Sequence, residues 1–281
     1  MLSGYGLVLS WQKNERFFPS WYWRRITRIY PSVFLVTLIA IALNRSWMKW
    51  RIMDYLSAFL WPTLFWFIGA IMIFYLLFFM VMKMGKRQAF LAGIAFLALP
   101  YIYFYFTSMD LSAYTIEGPG YFKWVFYLQI MFFGGYLAGS DRIPQGTLRH
   151  LLYLGMAILG YLGVVIAVKA GFGQIQAFIH VITFPIAYLV LCLSRSSFVS
   201  NIVLKQKFVW FFVSLMAGIT LEIYMLQYMV YSNRFITALP FPVNIILFWC
   251  VVVIIALIVS RGALIIRKLL RRENSASALT F

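Results

Sequence analysis

Residues 55–82 read YLSAFLWPTLFWFIGAIMIFYLLFFMVM and contain no charged side chain. The run exceeds the roughly 20 residues that a helix needs to cross about 30 Å of hydrocarbon. Backbone polar groups must be paired inside a bilayer, and the run lacks the alternation of a barrel strand, so it predicts helix. Its length also leaves room for tilt, or for a break near Trp61 and Pro62.

The composition extends this interpretation to the whole chain. Of its 281 residues, 64% are hydrophobic and only 11% are charged, whereas a soluble domain carries about 25% charged residues. We therefore predict a single membrane domain over residues 1–281, folded as an all-α, polytopic transmembrane helix bundle. The eight predicted full spans cover residues 27–44, 55–82, 89–106, 123–140, 150–168, 174–193, 208–231 and 242–264.

The two ends of the sequence differ from these spans. Residues 1–10, MLSGYGLVLS, are apolar but too short to cross a bilayer, and they lack the features of a signal peptide. We interpret them as a partial helix of an N-terminally truncated chain. Pro31 is expected in the first turn of the 27–44 span, where proline is tolerated. Residues 265–281 are predicted to form a cytoplasmic tail that ends in a polar stretch without structure.

Basic residues are unevenly distributed between alternate loops. Of the 24 Lys and Arg residues, 18 lie in five alternate segments: 11–28, 83–88, 141–149, 194–207 and the residues from 261 onward. Cytoplasmic loops are enriched in Lys and Arg. These segments and the C-terminus are therefore predicted to be cytoplasmic, in a multi-pass protein of the cell inner (plasma) membrane. The loop at 107–122 is then external, and its Asp110 and Glu117 lie among aromatics that suit either a sugar-binding loop or an ordinary polar one.

The net charge of +17 indicates contact with the lipid bilayer or with an anionic ligand. Nucleic acid is not expected as a partner, because no soluble basic domain is present to bind it. Cys192 and Cys250 lie within apolar runs and have no metal-ligand spacing, so no metal site is predicted.

A cluster of arginines stands out in residues 21–31, WYWRRITRIYP. Arg25 and Arg28 are three residues apart and would share one face of a helix. Guanidinium groups bind phosphates bidentately, so Arg24, Arg25 and Arg28 are candidate ligands of a phosphorylated molecule. The alternative is a topological anchor, in which the arginines and the neighbouring aromatic residues simply mark the membrane boundary.

Several segments resemble the acyltransferase-3 family of membrane acyltransferases, in the order that the family shows. They are SGYGLVLS at 3–10, FFPSWYWRRITRIYP at 17–31, FWFIGAIMIFYLLF at 65–78, FFGGYLAG at 132–139 and TLEIYMLQYMV at 220–230.

The resemblance implies an integral-membrane O-acyltransferase with about ten helices. Such an enzyme moves an acyl group, usually acetyl, from acyl-CoA to a hydroxyl of a cell-surface or lipid-linked glycan. It implies acyl-CoA as a donor substrate rather than a bound cofactor, with Arg25 and Arg28 on the acyl-CoA side. The family's catalytic histidine lies on a first helix that has no counterpart in this sequence. A later family histidine is replaced by Gln227, which cannot shuttle a proton.

Glu222 is the only acidic residue deep within a predicted span. A carboxylate in a membrane is costly and usually functional, so Glu222 is a candidate catalytic residue that would orient a hydroxyl, pair with an arginine or act as a base. A buried, satisfied acid is the alternative. Tyr224 and Gln227 are candidate substrate-binding residues, in a helical stripe with Thr220 and Tyr231 that would line a cavity or bond neighbouring helices.

His180 is the second candidate catalytic residue, since histidine is a common proton carrier. It shares a helical face with Gln176 and Thr183, and a hydrogen-bonded packing role is the alternative. His150 is expected to serve at a helix start. Two other functions remain open from the sequence: a transporter or flippase of a glycan or lipid intermediate, and an inactive truncated acyltransferase.

Overall fold

The computed structural model describes residues 1–13, 17–44, 50–60, 64–116, 121–140, 143–231, 236 and 238–277. Every regular element in these residues is a helix, which confirms the all-α prediction. The α-helices are α1 (Leu2–Lys13), α2 (Phe18–Asn44), α3 (Ile52–Phe59), α4 (Trp66–Lys83), α5 (Arg87–Ser108), α6 (Tyr121–Ala138), α7 (Leu148–Lys169), α8 (Ala177–Ser194), α9 (Ser197–Lys205), α10 (Lys207–Tyr231) and α11 (Val243–Ser277). A short 3-10 helix, Gly173–Ile175, precedes α8.

The number of membrane spans differs from the prediction of eight. In the described part of the chain, seven helices are long and apolar enough to cross a bilayer: Phe18–Ala42, Trp66–Lys83, Arg87–Ser108, Leu148–Lys169, Gly173–Ser194, Lys207–Gln227 and Val243–Leu270. The predicted span 123–140 is helical as α6 but is not among them, because Lys123, Gln129 and its tyrosines lower its mean hydropathy.

Protein rather than lipid surrounds much of α6, which explains its lower hydropathy. It packs against α1 and α5 and also contacts α8. Phe126, Met131 and Phe132 are buried along its length, and the Gln129 side chain donates a hydrogen bond to the Ile94 carbonyl of α5 at 3.3 Å. A helix covered by other helices tolerates polar residues that a lipid-facing helix does not.

Helix boundaries differ from the prediction at three places. Residues 55–82, predicted as one span with tilt or a break, contain two helices, since α3 ends at Phe59 and α4 begins at Trp66; Trp61 and Pro62 lie outside the described residues. The first span begins at Phe18 instead of residue 27, which places the arginines within α2 and Pro31 in its interior. The last helix continues to Ser277, so residues 271–277 of the polar stretch that was predicted to lack structure are helical. Residues 267–273, RKLLRRE, have high helix propensity, and no proline or glycine follows Gly262 to end the helix.

Residues 1–10 lie in α1, which extends to Lys13. The chain divides into two compact units. The first comprises Met1–Arg16 and Phe74–Val209, and the second comprises Phe17–Ile73 and Trp210–Phe281. In the first unit α6 packs against α1 and α5, and α7 packs against α8.

Two glycines let α1 approach α6 closely. A Cβ atom on Gly4 would lie 2.0 Å from the Met131 carbonyl oxygen, and one on Gly134 would lie 2.1 Å from the Met1 carbonyl oxygen. Small residues at such crossings bring helix backbones into direct contact. Gly6, two residues along α1, faces open space instead.

In the second unit α11 packs against α2 along a stripe of small side chains that includes Val252, Ala256, Val259 and Ala263. Pro31 has no N–H group to donate and weakens the backbone hydrogen bonding of its own turn. At this turn the Arg28 carbonyl accepts a hydrogen bond from the Arg267 guanidinium of α11. The carbonyl that loses its helix donor to Pro31 is that of Thr27, four residues earlier, so the contact from Arg267 adds to the α2–α11 packing and does not replace the missing bond.

We expect Gly4→Ala to destabilise the protein by about 1–3 kcal/mol, because the added methyl group cannot fit against the α6 backbone. Gly6→Ala makes the same chemical change on the same helix and gains about 1 kcal/mol of helix propensity at most. Thermal unfolding of both variants in one detergent measures the difference. Equal melting temperatures would contradict the close contact between α1 and α6.

Candidate active site

A buried carboxylate lies at the centre of the candidate site. Glu222 on α10 is 2% exposed, and its Oε1 accepts a hydrogen bond from the Ser32 hydroxyl of α2 at 2.6 Å. Ser32 itself is fully buried. This distance lies at the short end of the range for a hydrogen bond between two oxygen atoms.

The second carboxylate oxygen has no such contact. Glu222 Oε2 is buried, and no hydrogen-bond partner for it exists among the described residues. The Thr37 hydroxyl on α2 is likewise buried and without a partner within the described ranges. Buried polar atoms are nearly always paired, so each of these oxygens is available to a partner outside the described residues.

The arginine cluster lies on the same helix as Ser32. Arg25 is half-buried, and its guanidinium group lies 4.4 Å from the centroid of the Trp21 ring. It also donates to the Trp21 carbonyl at 3.4 Å. Arg24 and Arg28 are exposed. One guanidinium group is therefore held by its own helix, whereas the other two side chains extend outward.

Helix geometry aligns these groups. Arg25, Arg28 and Ser32 are spaced i, i+3 and i+7, so they occupy one face of α2. With a rise of about 1.5 Å per residue, Ser32 lies about 6 Å along the axis from Arg28 and about 10 Å from Arg25. A single helical face thus leads from the cationic groups to the buried carboxylate.

Tyr224 and Gln227 differ in their surroundings. The half-buried Tyr224 ring packs against Phe67 of α4, with 5.2 Å between ring centroids. Gln227 is exposed and, being five residues from Glu222, points to another side of α10. Thr220 and Tyr231, the ends of the predicted polar stripe, are also exposed, and Thr220 donates to the Met216 carbonyl of its own helix.

His180 belongs to the first compact unit, in an aromatic environment. It is 8% exposed, stacks on Phe126 with ring centroids 3.6 Å apart, and bonds through Nδ1 to the Tyr101 hydroxyl at 3.0 Å. These contacts satisfy the hydrogen-bonded packing role that was the alternative to catalysis. His150 serves at a helix start as expected, since its Nδ1 accepts from the Thr147 backbone at 3.2 Å.

The loop that contains Asp110 is fixed by Gln176. The fully buried Gln176 accepts hydrogen bonds from the Thr115 and Ile116 backbones and donates to the Asp110 carbonyl. Hydrogen bonds from the Ser112 hydroxyl and backbone lower the pKa of the exposed Asp110 carboxyl. Glu117 lies outside the described residues.

The sequence model of the acyltransferase domain family matches residues 1–262. The chain belongs to the acyltransferase-3 family. Neither the curated proteins nor the solved structures contain a match to it. Membership of this family, together with the long apolar helices, makes the chain a membrane acyltransferase by family.

The matched region of this acyltransferase-3 member contains Arg25, Arg28, Ser32 and Glu222. Ser32 was missed by sequence reasoning, because a single serine in an apolar helix has no distinguishing pattern. Its position seven residues after Arg25 was the available signal, since that spacing continues the arginine face.

We expect Ser32→Ala to destabilise this acyltransferase by about 1–3 kcal/mol, because it leaves the buried Glu222 without its hydroxyl donor. Ser20→Ala is the matched control: Ser20 lies on the same helix, is exposed, and donates only to the Phe17 carbonyl. Thermal unfolding in detergent compares the two. A control as destabilised as Ser32→Ala would show that the buried hydrogen bond contributes nothing particular.

Proposed function

We propose that the protein is an O-acyltransferase that moves an acyl group, acetyl in the simplest case, from acyl-CoA to a hydroxyl of a cell-surface or lipid-linked glycan. The observation that carries this proposal is the buried Glu222 carboxylate, bonded to Ser32 on the helix face that also bears Arg25 and Arg28. Family membership supports the acyl-transfer chemistry.

The donor end of the proposed site is cationic. Coenzyme A carries several phosphate charges, and planar guanidinium groups bind phosphate through paired hydrogen bonds. Arg25 is held in place by Trp21, so it loses less freedom on binding than an unrestrained side chain would. Arg28 and Arg24 extend outward and provide additional charge. The positive-inside bias favours acyl-CoA entry from the cytoplasm, with the C-terminus on that side of the inner membrane.

The acceptor end is the second carboxylate oxygen of Glu222. A glycan hydroxyl that donates to Oε2 would supply the partner that this buried atom lacks among the described residues. In the transfer step the hydroxyl oxygen attacks the thioester carbonyl, its proton passes to a base, the C–S bond breaks, and CoA leaves as a thiol after taking up a proton. Glu222 orients the hydroxyl and is the proposed base among the described residues. Tyr224 and Gln227 are proposed to contact the sugar. His180 is the second candidate for a proton carrier.

We expect Arg25→Ala combined with Arg28→Ala to weaken acetyl-CoA binding at least about tenfold, because each lost charge-assisted hydrogen bond contributes about 1.5–3 kcal/mol. Equilibrium binding of acetyl-CoA to the full chain in neutral detergent measures the loss. Lys205→Ala combined with Lys207→Ala removes the same charge from exposed positions and is expected to leave binding unchanged. Equal affinities in both double variants would exclude the assigned role of the arginine face.

We expect Glu222→Gln to separate donor binding from chemistry. Glutamine retains the shape and can still accept from Ser32, but it cannot take up a proton, so acyl transfer should fall by about 10²-fold or more. The affinity for acetyl-CoA should not change, because the proposed contacts of its phosphates are with Arg25 and Arg28 and not with Glu222. Incorporation of labelled acetyl groups into the glycan fraction of membrane vesicles measures transfer. Full activity of a folded Glu222→Gln protein would contradict the proposal. If the wild-type protein were a transporter or flippase and not an acyltransferase, it would release no CoA in the same assay.

A further inference from the structure

An open cavity of about 460 Å³ lies in the first compact unit, lined by Lys86, Arg87, Gln88, Leu91 and Tyr136. We propose that this cavity binds the phosphate headgroup of an anionic phospholipid, whose acyl chain follows an apolar stripe on α5. The residues of this cavity differ from those of the arginine face of α2, and the inference does not depend on the proposed acyl transfer.

The Arg87 side chain is already positioned for an anion. Its guanidinium group lies 4.0 Å from the centroid of the Tyr136 ring, and its Nε donates to the Tyr136 carbonyl at 3.0 Å. Neither terminal amino group of Arg87 has a hydrogen-bond acceptor within the described residues. These two groups form the fork that binds a phosphate through paired hydrogen bonds.

Lys86 adds a second cation beside this fork. It is exposed and has no ion pair in the described part of the chain. Gln88 follows on the first turn of α5 and adds an amide that both donates and accepts. Two adjacent cations and an amide at one cavity match the charge and the oxygen atoms of a phosphodiester.

The location favours a membrane lipid over a soluble phosphate. Lys86 directly precedes α5 and Arg87 is its first residue. Because α4 and α5 are both long and apolar enough to span a bilayer, we expect the cavity at the level of the headgroups. Leu91, which lines the cavity one turn further along α5, begins a stripe of exposed apolar residues. The stripe comprises Leu91, Leu99, Ile102 and Phe106, with exposures from 41% to 68%.

The stripe has the dimensions of an acyl chain. At about 100° per residue, its four members fall within about 80° of one another, and they extend about 22 Å along the helix. One leaflet is half of the hydrocarbon thickness of about 30 Å, so the stripe is long enough to accommodate an acyl chain across its own leaflet. Because α5 also exposes Phe96 and Tyr103 outside this stripe, the cationic cavity at the end of the stripe, and not the apolar surface by itself, points to a bound anionic phospholipid.

The test is displacement of a fluorescent short-chain phosphatidylglycerol from the full-length chain in neutral detergent. Lys86→Glu reverses the charge without touching a packed side chain and should weaken binding at least about tenfold. Arg87→Lys keeps the charge but loses the fork, and it should weaken binding by a smaller factor. Lys205→Glu makes the same charge change at an exposed position and should leave the affinity unchanged. Phosphatidylcholine should compete poorly.

Soluble phosphates distinguish the source of the ligand. Glycerol 3-phosphate and acetyl-CoA are expected not to displace the fluorescent lipid from the wild-type protein. Displacement by either compound that is lost in Lys86→Glu would assign the cavity to a soluble phosphate and overturn the lipid proposal. Equal weakening in Lys205→Glu would also overturn it, because the attraction would then reflect only the general positive charge of the protein.

Discussion

The hydrogen bond from Ser32 to Glu222 imposes the main constraint on the second compact unit. A carboxylate that is 2% exposed within a membrane-spanning helix is costly unless a donor compensates it. Ser32 supplies one donor at 2.6 Å, and this contact fixes the rotation of α2 and α10 about their axes at that point. The orientation of the arginine face follows, because Arg25 and Arg28 lie on the same side of α2 as Ser32.

Helix packing in this chain depends on which surfaces protein covers and which face lipid. The α1–α6 crossing relies on Gly4 and Gly134, and the α2–α11 contact relies on alanine and valine side chains. Such contacts gain van der Waals packing where hydrophobic exclusion between helices is weak. The protein around α6 likewise permits polar residues in that helix. By contrast, α7 has a mean hydropathy of 2.3 over its most apolar 18 residues, and only 6% of those residues are buried inside the protein.

Much of this fold could be predicted from sequence, because the bilayer permits few alternatives for a long apolar run. Helix type and approximate position follow for α5, α7, α8 and α10. Helix boundaries at the membrane edge could not be predicted in this way, since basic and aromatic residues continue a helix as readily as they end it. For that reason Arg24, Arg25 and Arg28 proved helical, and the last helix continues to Ser277. Only part of the site could be predicted from the sequence. Glu222 is recognisable as a single carboxylate within a predicted span. Its partner Ser32 is 190 residues away along the chain, and only the fold brings the two together.

A double-mutant cycle between Ser32→Ala and Glu222→Leu tests the central interaction most directly, because each change removes one partner of the hydrogen bond. Free energies of unfolding for the wild-type chain, both single variants and the double variant give the coupling energy between the two side chains. A direct, buried hydrogen bond predicts a coupling of about 1–3 kcal/mol. Additivity within about 0.5 kcal/mol would mean that the two residues do not interact, and it would contradict the site proposed for this membrane acyltransferase.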